Sequence, residues 1–338
     1  MLTRCLRNII SSNLRHSTRQ LSYVSRIRLL QRLKEDTGFC KEQLGAGQFL
    51  LYSKGKPLLG RSTSGETSPI WLNHTSVGEL MDQNFELNCA VLGLSETGVP
   101  QFVLNIGETV GTSSLEQENK GRFTDLRVGL FLVDSPTAHT LSRGWSLLLW
   151  KKNTKFCTKC GNPLVLNLSG SQASCPVCFS VYYPSTSPVG IVSICDPSRD
   201  SLLLIRQPRY PPGMYSCIAG FLDAGETLED CVRREAAEEV GIEVHKVSYL
   251  SSQHWPFPAG SLMIGCQAEA LPGQEPDPCK VELEDARWFT RNQVQEAFDR
   301  IKENPGLRTR KDNDPEKIFL APRGAIANFL AGRWLNIL

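Results

Sequence analysis

The chain has 338 residues, 41% of them hydrophobic and 21% charged, with a formal net charge of +2. That length suits two main domains plus a small module, and the apolar content is ample for real cores. The near-balanced charge excludes a general affinity for nucleic acid.

The balance hides an uneven start. The first 34 residues contain Arg4, Arg7, Arg15, Arg19, Arg26, Arg28, Arg32 and Lys34 and no acidic residue. Leu2, Leu6, Ile9 or Ile10, and Leu14 recur at helical spacing, and Ser11, Ser12, Ser17, Ser22 and Ser25 punctuate the stretch. An amphipathic, arginine- and serine-rich, acid-free N-terminus has the pattern of a mitochondrial presequence, here residues 1–35, which addresses the chain to the matrix. A basic tail that binds RNA or a membrane surface is the competing reading. No continuous apolar run makes this a secretory signal, and the terminal Asn-Ile-Leu is not a peroxisomal address.

Residues 36–152 mix short apolar runs, such as CAVLGL and RVGLFLV, with turn-forming stretches. They read as an α/β domain. Its last segment, HTLSRGWSLLLWKK at 139–152, is apolar enough for a buried connecting helix. It is too short, and too broken by Arg143, to span a bilayer, so no membrane insertion is expected.

Residues 153–186 hold FCTKCG and CPVC. Cys157, Cys160, Cys175 and Cys178 form C-x2-C-x14-C-x2-C, close to the spacing of a zinc ribbon. Two-residue spacings are awkward for structural disulfides, and four thiolates leave no open position, so the expected zinc is structural. The other eight of the twelve cysteines, Cys5, Cys40, Cys89, Cys195, Cys217, Cys231, Cys266 and Cys279, show no framework. They read as reduced, mostly buried thiols.

The strongest signal lies at 220–242, GFLDAGETLEDCVRREAAEEVGI. A turn-rich loop leads to Thr227, an N-cap for a helix running to about Val240, with Gly241 as its stop. On that helix Glu235, Glu238 and Glu239 stand at i, i+3 and i+4 and share one face. Three like charges so close call for a cation. Mg2+ or Mn2+ fits, because hard ions take oxygen ligands and also bind diphosphate oxygens. A solvated acidic face balanced by Arg233 and Arg234 is the plainer alternative.

Gly220, Glu226, Arg234, Glu235, Glu238, Glu239 and Gly241 match every fixed polar and glycine position of G-x5-E-x7-R-E-U-x-E-E-x-G-U, where U is apolar and Ala236 fills one such slot. The segment resembles the box of the Nudix hydrolases, which cleave nucleoside diphosphates linked to another group. The cysteine set ahead of it and SSQHWPFPAGS at 251–261 behind it resemble the NADH pyrophosphatase subfamily. There His254 replaces a proline, and Gly260 stands where a serine is usual. Ser185 stands where the YYPSTSP segment would carry an arginine, and Ala325 takes the serine place in a closing Ser-Ile-Ala motif.

The resemblance implies an α/β protein: a Nudix fold at 187–338, a mixed β-sheet sandwiched between helices, preceded by the zinc ribbon and a divergent N-terminal α/β domain. It implies that Glu235 and Glu239 ligate catalytic metal, that Glu238 ligates metal or helps deprotonate the attacking water, and that Glu282, in the strand ELEDARWF, adds a ligand from outside the helix. A backbone carbonyl at Ala219 or Gly220 completes the shell, and Glu226 and Arg234 tie the loop to the helix. Gln253, with both donor and acceptor, and Trp255 and Phe257, with flat faces for a base, are the expected substrate contacts. The implied reaction is metal-dependent hydrolysis of NADH and NADPH by a homodimer with no stable nucleic-acid partner. Removal of a NAD cap from RNA, or a catalytically weak zinc-ribbon binding module, are the alternatives. Dead relatives usually lose a box glutamate, and this chain keeps all of them.

Overall fold

A computed structural model describes residues 21–81, 84–107, 111–258, 260–303 and 318–337. The first helix among the described residues, α1 (Tyr23–Glu35), is capped by Ser22, whose hydroxyl accepts from Ser25 N. Leu33 on α1 is fully buried, and Arg26 Nη2 donates to Leu94 O at 3.2 Å. Helix α1 therefore belongs to the N-terminal core, which corrects the presequence boundary at 35: residues 23–35 bury apolar surface that a detachable leader would leave exposed. Residues 1–20, where the amphipathic pattern falls, lie outside the described residues.

The N-terminal sheet comprises β1 (Gln48–Ser53), β2 (Lys56–Arg61), β3 (Thr67–Pro69), β4 (Trp71–Asn73), β5 (Cys89–Leu94), β6 (Pro100–Asn105) and β7 (Gly121–Phe123). Its order is β3-β2-β1-β6-β5, with β4 on β1 and β7 on β2. Lys54 (φ 50) and Gly55 (φ 76) close the β1–β2 hairpin, and both left-handed angles suit the twist of a two-residue turn. Helices α2 (Leu126–Leu132) and α3 (Ser135–Asn153) cover one face through Leu130, Leu141 and Leu148, which meet Leu50 and Tyr52. Tyr52 keeps its buried hydroxyl satisfied by donating to Leu141 O at 2.7 Å.

The ribbon follows as β8 (Val165–Leu166), β9 (Ala173–Ser174) and β10 (Val181–Tyr182), in the order β10-β9-β8. Lys151, at the end of α3 and only 4% exposed, fastens it. Its Nζ donates to Glu86 O (2.6 Å), Cys89 O (2.7 Å), Asn167 O (3.2 Å) and Leu168 O (3.3 Å). Burial lowers this ammonium to about 8.

The C-terminal unit has β11 (Ser187–Cys195), β12 (Ser201–Arg206), β13 (Met214–Tyr215), β14 (Ile218–Phe221), helix α4 (Leu228–Val240), β15 (Val244–Trp255), β16 (Ser261–Ala270), β17 (Asp285–Thr290), helix α5 (Arg291–Glu303), β18 (Phe319–Leu320) and helix α6 (Ile326–Trp334). The main sheet runs β15-β16-β11-β12-β17, and β14 joins β11. Only β11 and β16 are parallel within it, so the sheet is mixed. Alternation along the strands feeds two cores. Val192, Ile194, Leu203 and Ile205 pack under α4, while Ile191, Cys195, Leu202 and Leu204 pack with α5 and α6. This is the expected sheet between helices.

Candidate active site

Helix α4 begins where Thr227 Oγ1 accepts from Asp230 N at 3.2 Å and ends at Gly241 in the left-handed conformation (φ 65). Cys231, Val232, Ala236 and Val240 form its buried stripe. Ala236, small for its place in the motif, is fully buried against the sheet. That packing fixes which face remains for the acids.

Arg234 organises them. Its Nε and Nη2 donate to the two Glu226 oxygens at 2.8 and 2.9 Å, a bidentate pair, and Nη2 also donates to Phe221 O at 2.9 Å. Its Nη1 reaches Glu235 Oε1 and Glu238 Oε2, each at 2.9 Å. The guanidinium holds the Glu226 carboxyl down at about 2 and is itself held well above its ordinary value by that pairing. Glu226 also accepts from Asp223 N at 2.9 Å, so loop and helix are locked together.

Glu235 and Glu239 lie deeper. Burial raises the Glu235 carboxyl, against the pull of Arg234. Glu239 is 4% exposed, and its Oε2 has no hydrogen-bond partner. Burial, then the negative charges of Glu235 and Glu282, push it up to about 8. An unpartnered buried carboxylate oxygen beside two more carboxylates is costly alone and is the donor set that a hard divalent cation satisfies. Gly220 adds to the fit. A Cβ there would stand 1.8 Å from Glu235 Oε1, so only glycine lets this carboxylate lie against the strand.

Glu282 does not sit in a strand, because β17 begins at Asp285. It lies in a preceding turn, where Glu282 N donates to Cys279 O (3.1 Å) and Cys279 N to Glu239 O (2.8 Å). The turn hangs from the last residues of α4, which explains how a distant segment brings its charge to Glu235 and Glu239. Among the described residues, the acids are more widely spread than the cysteines, the only group of three or more metal-ligating side chains whose atoms all lie within 4.8 Å.

In that group, Cys157 and Cys178 Sγ, Cys160 and Cys175 Sγ, and Cys160 and Cys178 Sγ are each 3.5 Å apart. A disulfide would need about 2.05 Å, whereas the edge of a tetrahedron with 2.3 Å zinc–sulfur bonds is about 3.8 Å. The spacing fits one structural zinc ion. Tyr182 Oη, 3.1 Å from Cys157 Sγ, holds that thiol down at about 6.

The expected substrate contacts are differently engaged. Gln253 Nε2 donates to Gly324 O (2.6 Å) and its Oε1 accepts from Ile326 N (2.9 Å). The amide thus caps α6, whose N-cap, Ala325, makes no side-chain capping bond. Trp255 and Phe257 meet edge to face at 5.4 Å, pack onto the core under α2 and α3, and carry Arg127 of α2, 4.3 Å above Phe257. These rings join the two large units, so the reading of them as open stacking faces is corrected. His254 supports the same seam through Ser146 Oγ at 3.1 Å.

Two features escaped the sequence. Phe221, next to Gly220, is 50% exposed, and adjacency to the motif was its only signal. A groove of about 520 Å³ opens between β15, the start of α3 and the start of α6, with Ser252, Gln253, His139 and Arg323 in its wall. Nothing local marks it, because its walls come from segments far apart in the chain.

Comparison with known proteins agrees with this geometry. A profile of the NUDIX domain matches residues 184–308. A human protein named NAD(P)H pyrophosphatase NUDT13, mitochondrial, is 37% identical over 328 residues, which cover 93% of this chain and 92% of that protein. Human NAD-capped RNA hydrolase NUDT12 is 32% identical over 341 residues, 91% of this chain and 71% of its own. Caenorhabditis elegans NAD-capped RNA hydrolase ndx-9 is 39% identical over 221 residues, 64% and 59%.

Proposed function

The chain belongs to the Nudix hydrolase family, and from that membership we propose that it hydrolyses the pyrophosphate bond of NADH and NADPH in the mitochondrial matrix, as a homodimer. The observation that carries the chemistry is Glu239, a buried carboxylate with an unpartnered oxygen among other acids. The substrate class rests on the relatives' names.

Glu235, Glu239 and Glu282 would hold Mg2+ or Mn2+, with the Ala219 or Gly220 carbonyl completing the shell. Such ions neutralise diphosphate oxygens and acidify a bound water. The chain's own groups do the rest. Glu238, whose side chain is 61% exposed, keeps one oxygen on Arg234 and leaves Oε1 to take the proton of the attacking water. Arg234 fixes the rotamers of Glu235 and Glu238, so the acids need little rearrangement as charge develops at phosphorus. Products are reduced nicotinamide mononucleotide with AMP, or with 2′,5′-ADP from NADPH.

A product-resolved panel of NADH, NADPH, NAD, ADP-ribose and NAD-capped RNA, run with purified protein in Mg2+ and in Mn2+, tests this. The reduced dinucleotides should have the highest kcat/KM. A higher value for capped RNA would transfer the assignment to decapping, and inertness toward all five would remove the enzymatic reading.

A further inference from the structure

The loop at 207–213, between β12 and β13, is firmly held. Arg206, a buried residue at its start, donates from Nη2 to Tyr210 O (3.0 Å) and from Nη1 to Pro211 O (2.5 Å) and Met214 O (3.3 Å). Pro208, Pro211 and Pro212 stiffen it further. Tyr210 packs against the core under α4, which puts the loop on the same side of the sheet as the acids. The turn that carries Glu282 meets it there. Glu284 N donates to Arg206 O at 2.9 Å, and Cys279 N, in the same turn, donates to Glu239 O at 2.8 Å.

Arg209 stands exposed on this loop. Its Nε donates to Gln207 Oε1 at 2.7 Å, while Nη1 and Nη2 make no hydrogen bond or ion pair among the described residues. Its charge nevertheless reaches the acids. Burial, Glu235 and Glu282 raise the Glu239 carboxyl, and Arg209 pulls it the other way. Tyr210, next in the chain, lies in the fields of both Arg209 and Glu239. Arg234 is not open to a substrate anion, because each of its three guanidinium nitrogens already donates within the protein. Arg209 is a cation near the carboxylates that is not spent on them, and its two terminal nitrogens form an open fork of the kind that fits phosphate oxygens.

We propose that Arg209 is a further substrate-binding residue, whose Nη1 and Nη2 contact non-bridging oxygens of the scissile diphosphate, with Gln207 as the positioning residue that aims it. The assignment rests on the diphosphate hydrolase reading. The acids by themselves repel the negative oxygens of a diphosphate, and a cation fixed at their edge offsets that repulsion where the substrate arrives. Gln207 keeps the guanidinium from collapsing onto the carboxylates as an ion pair.

The test compares wild type, Arg209→Ala, Arg209→Lys and Gln207→Ala in two measurements. One is kcat and KM on NADH with Mg2+. The other is calorimetric binding of α,β-methylene-ADP, whose carbon bridge between the phosphorus atoms resists hydrolysis, against adenosine. Arg209→Ala should lower kcat/KM and weaken α,β-methylene-ADP binding by about ten- to a hundredfold each, with adenosine within about twofold. Arg209→Lys keeps the charge without the fork and should fall between, and Gln207→Ala should show a smaller loss in the same two readings. A cation that merely offset the acids would behave differently. Lysine would then restore full function, and Arg209→Ala would bind Mg2+ more tightly with its α,β-methylene-ADP affinity unchanged. That pattern, or an equal loss for adenosine, would overturn the proposal while leaving the hydrolase reading intact. Wild type inert toward every dinucleotide would remove the hydrolase reading, and the calorimetric comparison would still decide the phosphate contact. If Arg209→Ala does not fold, Arg209→Lys and Gln207→Ala carry the same comparison.

Discussion

Glu239→Gln should separate stability from activity, with opposite signs. The carboxyl loses its proton near 4.5 in the unfolded chain and near 8 in the folded one. Between those values the unfolded state releases a proton that the folded state keeps, so wild-type stability without Mg2+ or Mn2+ falls as pH rises from 4.5 to 8. At about 1.4 kcal/mol per pH unit, the loss reaches roughly 3 kcal/mol at pH 7. Glutamine has no such charge to desolvate. The variant should therefore match wild type at pH 4 and exceed it at pH 7 by up to that amount, about 5–10 °C in melting temperature for a unit of this size. Adding Mg2+ should reverse the order, because wild type gains a ligated cation and the amide holds it poorly. Turnover should fall about a thousandfold. The assay is thermal denaturation across pH in buffer freed of Mg2+ and Mn2+ but not of zinc, beside hydrolysis rates. A variant less stable than metal-free wild type at pH 7, or a difference that does not change with pH, would refute the reasoning.

Gly220→Ala should cost about a hundredfold in turnover with folding preserved, since its Cβ evicts the Glu235 carboxylate from 1.8 Å; near-normal rates would mean that Glu235 acts from another position. Arg234→Lys keeps a charge but loses the fork on Glu226, so chemical denaturation should show a loss of about 1–3 kcal/mol along with weaker turnover. Cys175→Ala should purify with less than one zinc per chain by elemental analysis and melt earlier, whereas full zinc content would place the ion elsewhere. Trp255→Ala should destabilise by about 2–3 kcal/mol with kcat/KM for NADH changed less than tenfold; the reverse pattern would restore the stacking role.

Local features of the site were legible because they obey local rules. Thr227, Gly241 and the i, i+3, i+4 acids determine a helix and its charged face within one short stretch. The ribbon was legible for the same reason, its ligands being paired two by two in the chain. What failed was partnership at long range. Gln253 has the same donor and acceptor whether it meets a ribose or the start of α6, and only the fold brings Gly324 and Ile326 to it. Trp255 and Phe257 likewise offer flat faces to whatever is opposite, which is α2 with Arg127. The basic stretch misled differently: Arg26, Arg28 and Arg32 continue the charge pattern of the first residues, yet Leu33 in the same stretch is a core residue. Composition averages over such a boundary, and packing draws it.

Lys151 determines how far the chain can be taken apart. Its ammonium has two acceptors in the N-terminal unit, Glu86 O and Cys89 O, and two in the ribbon, Asn167 O and Leu168 O. Excising residues 153–186 would leave a buried cation with half its acceptors, and removing the chain before α3 would take away the other half, Glu86 O and Cys89 O. The zinc module is therefore not a cassette. Grafts or truncations should carry α3 and β5 with it, and the N-terminal unit, though it holds none of the catalytic acids, has to travel with the enzyme.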